Sequence, residues 1–251
     1  MKALVAIQMD CYLMPTAYEN KGNALCARAR QPEVRRIRKF HMNNETKNHW
    51  EKVYQTKEPN EVSWTQAIPQ TSLDFIHSFK LPKSAKIIDV GGGDSRLVDF
   101  LLDEGFENVT VLDISAKALE KAQKRLGEKG KKVNWIVSDV TDYQPETAFD
   151  VWHDRATFHF LTTKEEIAAY LELAQKAVTG FMTIGTFSDA GPKKCSGLNI
   201  RQYSESELQE QLDGGFEKIK CITEDHQTPF GTTQNFLFCS FRRGVPSVSV
   251  K

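Results

Sequence analysis

The 251-residue chain predicts an α/β fold: a doubly wound, mostly parallel seven-stranded sheet with an antiparallel edge strand and helices on both faces. From residue 86 onward, short apolar runs alternate with helical patterns, the order expected of a parallel sheet with crossover helices. Seven runs read as strands. The last two are joined by turn-rich residues without a helix, which implies an antiparallel pair at the sheet's edge.

Each element has a local reason. Trp50 and Tyr54, four residues apart, share one face of a short helix. Pro69 suits the first turn of a helix to about Phe79, with Leu73, Ile76 and Phe79 on one side, and Leu81-Pro82 closes it. Residues 86–90 read as a strand ending in glycines, 97–102 as a helix and 109–113 as a strand. The amphipathic stretch 116–126 ends at Gly127, a C-cap residue. Residues 133–137 and 149–152 read as strands, 164–178 as a helix and 181–187 as a strand. Ser204 with Glu207 three positions later is a capping-box pattern, and Gly214-Gly215 stops that helix. Residues 216–223 and 235–242 are the closing strands.

Composition narrows the class. With 40% hydrophobic and 26% charged residues, the chain is an ordinary globular sequence rather than a disordered, collagen-like or disulfide-scaffold one. Its 33 basic and 33 acidic side chains cancel, whereas a whole-chain nucleic-acid binder would show a basic excess. Residues 1–41 hold eight basic groups against Asp10, Glu19 and Glu33, so a +5 arm precedes a −5 body at 42–251. The arm fits a flexible segment, a targeting sequence, or residues ahead of a start at Met42. Its arginines suit mitochondrial import and its acids do not, so the expected place is cytoplasmic, with mitochondrial import as the alternative. Five cysteines, an odd number without a close pair, read as free thiols in a reducing compartment. No apolar stretch approaches the ~18 residues of a membrane span.

The chemistry concentrates in Ile87-Ile88-Asp89-Val90-Gly91-Gly92-Gly93-Asp94-Ser95-Arg96. A strand running into three glycines lets backbone approach a ligand at the carboxyl end of the sheet. A dinucleotide loop wants a small residue where Arg96 stands, and the carboxylate of Asp89 disfavours pyrophosphate. It suits a cationic end, such as an ammonium or sulfonium. Asp113 ends the second strand, 20 residues after Gly93, where a carboxylate can accept from a ribose diol. Asp139 ends the third, where it could accept from an adenine amino group.

These residues resemble the class I S-adenosylmethionine-dependent methyltransferases, a Rossmann-like family. The acidic-x-G-x-G motif looks like Asp89–Gly93, the ribose acid like Asp113 and the adenine acid like Asp139; Ser95 departs mildly from the usual loop. The resemblance covers about residues 45–243. It implies S-adenosyl-L-methionine as cofactor, S-adenosyl-L-homocysteine as product, and in-line methyl transfer. Its implied cofactor contacts are Asp89, Gly91, Gly92, Gly93, Asp113, Ile114, Asp139, Val140 and His153. No metal is required, and no histidine pair has metal-ligand spacing.

Acceptor choice is expected after the fourth strand, in Trp152–Phe160. Asp154 or His159 could take a proton and Arg155 could clamp a carboxylate. Alternatively, Asp154 and Arg155 form a local ion pair, and His159 packs beside Phe158 and Phe160. Asp154-Arg155-Ala156-Thr157 resembles the Asp-Arg-Gly-Ala stretch of thiopurine-type S-methyltransferases. It is also similar to the Asp-Lys-Gly-Thr stretch of lysine methyltransferases of elongation factor 1A and citrate synthase, whose aromatic lead-in resembles Trp50–Tyr54. In the loop 189–198, Cys195 beside Lys193 and Lys194 is either a thiol of lowered pKa or an unreactive one in a solvated loop. The compact body favours a small-molecule acceptor. A protein lysine is the second reading and a non-catalytic partner subunit the third.

Overall fold

The computed structural model describes residues 44–244. The basic arm, its boundary at 42, and the thiols of Cys11 and Cys26 lie outside the described residues. Strands β1 (Lys86–Val90), β2 (Asn108–Asp113), β3 (Asn134–Val137), β4 (Phe149–Arg155), β5 (Val178–Phe187), β8 (Phe216–Gln227) and β9 (Thr233–Arg243) form one sheet in the order β3-β2-β1-β4-β5-β9-β8. Strands β1 to β5 run parallel, and β9 lies antiparallel between β5 and β8. The closing pair thus forms the edge, with the antiparallel member on its inner side. Two-residue strands β6 (Lys194–Cys195) and β7 (Leu198–Asn199) make a small separate hairpin.

Helix α1 spans residues 44–56. It is followed by α2 (Gln70–Ser78), α3 (Leu97–Asp103), α4 (Ala116–Leu126), α5 (Lys164–Ala177) and α6 (Glu205–Leu212). Apart from their first residues, β1 and β2 are buried throughout, because helices cover both faces. Leu73 and Ile76 of α2, Leu97 and Leu101 of α3, and Leu119 of α4 pack on Ile87, Val109 and Val151. Tyr170 and Leu173 of α5 and Leu208 and Leu212 of α6 join a separate cluster with Trp152, Met182 and Phe241. Chain order reverses between β1 and β4, so the ligand crevice of such a sheet falls at their carboxyl ends.

Two expectations change here. Strand β4 continues to Arg155 instead of ending at Trp152. The cysteine reading is corrected: Cys221 and Cys239, 18 positions apart, face each other across β8 and β9 and form a disulfide. Their separation in sequence concealed a proximity that the hairpin creates. Edge strand β8 is twelve residues long, mostly exposed, and its register shifts between Lys218 and Lys220. Among the described residues, no helix is long and apolar enough to cross a membrane.

Candidate active site

At the end of β1, the amides of Gly91 and Gly92 both donate to the Leu112 carbonyl, at 2.7 and 3.2 Å. Gly91 and Gly93 have φ of +64° and +50°, a region that side chains disfavour. A Cβ on Gly91 would stand 1.7 Å from the Thr157 hydroxyl oxygen, and one on Gly93 would stand 2.6 Å from the Tyr54 hydroxyl oxygen. The loop is also stapled from α4: Arg125 donates to the carbonyls of Asp94 and Ser95, both at 2.8 Å, and pairs with Asp99 at 2.7 Å. Sequence reasoning missed Arg125, which reads as an ordinary exposed cation in the last helical turn.

Two of the strand-end acids meet this loop: a Cβ on Gly92 would stand 2.7 Å from Asp89 Oδ2 and one on Gly93 3.3 Å from Asp113 Oδ2, whereas Asp139 follows β3 at the sheet's outer margin. Asp113 is buried and accepts from the Ser115 amide at 2.8 Å. Desolvation, then the neighbouring charges of Asp89 and Asp94, push its carboxyl up to about 7 despite amide bonds from Ser115 and Gly93. A carboxylate has roughly four acceptor positions, so two remain for a diol. Asp139 is half-buried and accepts from the amide and hydroxyl of Thr141, both at 2.8 Å. Ile114 is half-buried beside Asp113, whereas the Val140 side chain packs in the core. His153 lies one layer deeper: Nδ1 meets Asp89 at 2.7 Å and Nε2 meets the Ser72 hydroxyl at 2.8 Å. It therefore orients Asp89 from within the sheet.

Helix α1 covers the loop. Trp50, Tyr54, Trp64 and Phe160 form an aromatic cluster with centroids 5.2 to 6.2 Å apart. Glu51 accepts from the amides of Ala116 and Lys117 at 2.8 and 3.1 Å, docking α1 on the N-terminus of α4. No sequence signal marks it, because its partners lie 65 residues away.

Past the cofactor end, alternation along β4 sends neighbouring charges to opposite faces. Asp154 turns toward α5, accepting from the Tyr170 hydroxyl at 2.7 Å and the Thr157 and Phe158 amides at 2.9 and 3.2 Å. Burial lifts its carboxyl to about 6. These internal donors make it the fastener of the turn after β4, and the alternative of a local Asp154–Arg155 ion pair does not form. Arg155 turns the other way and donates from Nη1 to the Trp64 carbonyl at 2.9 Å. His159 is fully buried and stacks on Phe187 at 4.6 Å. Burial, then the Arg155 charge, lowers it to about 3, so it stays neutral across the physiological range. Cys195 is buried among Phe75, Phe187, Phe236 and Phe238. Burial pushes its thiol up to about 12, which corrects the lowered-pKa reading and agrees with an unreactive thiol, one that is buried rather than solvated.

The acids and glycines fit a cofactor with a ribose and a cationic end: Asp89 and Asp113 flank a loop whose own residues carry no side chains. Residues 87–180 match the methyltransferase domain family. The chain is 26% identical over 120 residues to the eEF1A lysine and N-terminal methyltransferase of Mus musculus, covering 47% of this chain and 17% of that protein. It is 32% identical over 99 residues to malonyl-[acyl-carrier protein] O-methyltransferase 1 of Ilyobacter polytropus, covering 39% and 35%. The chain thus matches well under half the length of either relative. The fold resembles the 1,6-didemethyltoxoflavin N1-methyltransferase of Burkholderia thailandensis, with TM-score 0.56 and 19% identity over 92% of this chain and 94% of that one. Sheet order, glycine loop and matched domain agree: residues 87–180 are a methyltransferase domain, set in the sheet order of the class I S-adenosylmethionine-dependent methyltransferases.

Proposed function

We propose that this chain is an enzyme that methylates a small-molecule acceptor with S-adenosylmethionine. The carrying observation is the placement of Asp89 and Asp113 against the glycine loop at the sheet's switch point, with Asp139 beyond them after β3. When bound, the cofactor supplies a sulfonium methyl that an acceptor atom takes by in-line displacement, the carbon–sulfur electron pair leaving with S-adenosylhomocysteine. Asp113 would hold the ribose hydroxyls and Asp139 the adenine amino group. Asp89, oriented by His153, would face the cationic end, with the backbone of Gly91, Gly92, Gly93, Ile114 and Val140 alongside. Helix α1 and its aromatic rings would exclude water and orient the two reactants. His159 remains the candidate group near the acceptor, as a neutral hydrogen-bonding ring, and Asp154 acts only through the turn it fastens.

The names of the eEF1A relatives favour a protein lysine as the second reading. The half-buried cation of Arg155, at the end of β4 where the acceptor is expected, opposes it, since a lysine ammonium would be repelled there. Calorimetric titration of the full chain with S-adenosylhomocysteine tests the core of the proposal, and absence of binding would sink it. Labelled S-adenosylmethionine added to extracts with and without macromolecules separates the acceptor classes. Label found on protein alone would favour lysine.

A further inference from the structure

Beyond the glycine loop lies a polar set that cofactor binding leaves unused. Only one edge of the Arg155 guanidinium is engaged, by the Nη1 bond to Trp64, and the group sits 5.2 Å from the centroid of the Phe236 ring. Nε and Nη2 are buried without a hydrogen-bond partner among the described residues. These two N–H groups share the side edge of the guanidinium, the fork that grips both oxygens of a carboxylate. The acids whose charge reaches Arg155 are committed elsewhere: Glu224 accepts from the Thr71 hydroxyl and Asp89 contacts His153.

The surroundings share this incompleteness. Both ring nitrogens of His159 are likewise buried without partners among the described residues. Trp64, Phe160, Phe187 and Phe236 supply flat apolar walls. A buried cation is costly unless a counter-charge meets it, and aromatic walls favour a planar body.

Resting on the methyltransferase reading above, we propose that the acceptor is a compact aromatic carboxylate whose two oxygens are held by Nε and Nη2 of Arg155. The rings hold its body, and the methylated atom lies away from the clamped carboxylate. The segment carrying Trp64, pinned by its carbonyl to Arg155 and by the Ser63 carbonyl to His226 at 2.6 Å, closes over the bound acid.

The test titrates the full chain, loaded with S-adenosylhomocysteine, with benzoate, 3-phenylpropanoate and indole-3-acetate. Each acid is paired with its carboxamide, and phenyl phosphate serves as a tetrahedral anion. At least one acid should bind about tenfold or more tightly than its amide. That affinity should fall about thirtyfold or more in Arg155→Gln and recover only in part in Arg155→Lys. Both variants should keep the wild-type affinity for S-adenosylhomocysteine, which shows that they fold. Failure of every acid to bind, equal binding by the amides, preference for the phosphate, or acid binding that survives Arg155→Gln would each overturn the proposal. Failure of S-adenosylhomocysteine to bind the wild type would instead strike the methyltransferase reading, and this inference with it.

Discussion

Asp113 links the cofactor end of the site to pH. Its carboxyl, raised to about 7 chiefly by burial, must be ionised to accept from both ribose hydroxyls in the role proposed for it. Affinity for S-adenosylhomocysteine should therefore rise with pH and level off above neutrality, with Kd about tenfold weaker at pH 6 than at pH 8 in calorimetry. Asp113→Asn should remove that step and weaken binding at pH 8. The same shift sets a stability trend of known sign. Because the folded value exceeds the unfolded one of ~3.9, ionisation disfavours the folded state, a cost absent below pH ~4 and complete above about 7. Ligand-free Asp113→Asn should then melt a few degrees higher than wild type at pH 8, with the gain vanishing near pH 4 in scanning calorimetry. Gly91 is constrained differently. The space its missing Cβ would fill already holds the Thr157 hydroxyl, so Gly91→Ala combines a clash with an unfavourable φ. Urea unfolding should show a loss of about 2 kcal/mol or more, partly restored by adding Thr157→Ala.

Among the elements, α1 depends on a long-range contact. Glu51 serves as an extra acceptor at the N-terminus of α4, where Ser115 already caps Ala118. Glu51→Ala should cost about 1–2 kcal/mol in urea unfolding and release amide-exchange protection in α1 before the sheet. The periodic elements were legible in the sequence because apolar spacing and caps are local, as Ser204–Glu207 at the start of α6 shows. The far end of β4 was not. His153, Asp154 and Arg155 look like a loop until Ser72, Tyr170 and Trp64, all remote in sequence, meet them inside the fold. The site divides in the same way. The half proposed for the cofactor is marked in the sequence by acids at successive strand ends, whereas the half proposed for the acceptor assembles from β4, β5, β9 and the segment before α2, and no single stretch of chain displays it.

For the molecule as a whole, the β8–β9 hairpin completes the sheet and carries its one disulfide among the described residues. Closing an 18-residue separation restricts the unfolded chain by about 3 kcal/mol in the loop-entropy treatment. Cys221→Ser with Cys239→Ser should lower urea stability by up to that amount and leave S-adenosylhomocysteine affinity unchanged, since the pair lies outside the cofactor end. The hairpin's outer member has a second consequence. A twelve-residue strand unpaired on its outer side invites docking by any extended chain. On β8 that invitation is blunted by the register shift at Lys218 and Lys220 and by Glu217, Lys218, Lys220 and Asp225, which leave Ile219 as its only large exposed apolar side chain. The charges and the bulge thus act as a guard against mistaken self-recognition, keeping the free margin unread by its own copies in a crowded solution.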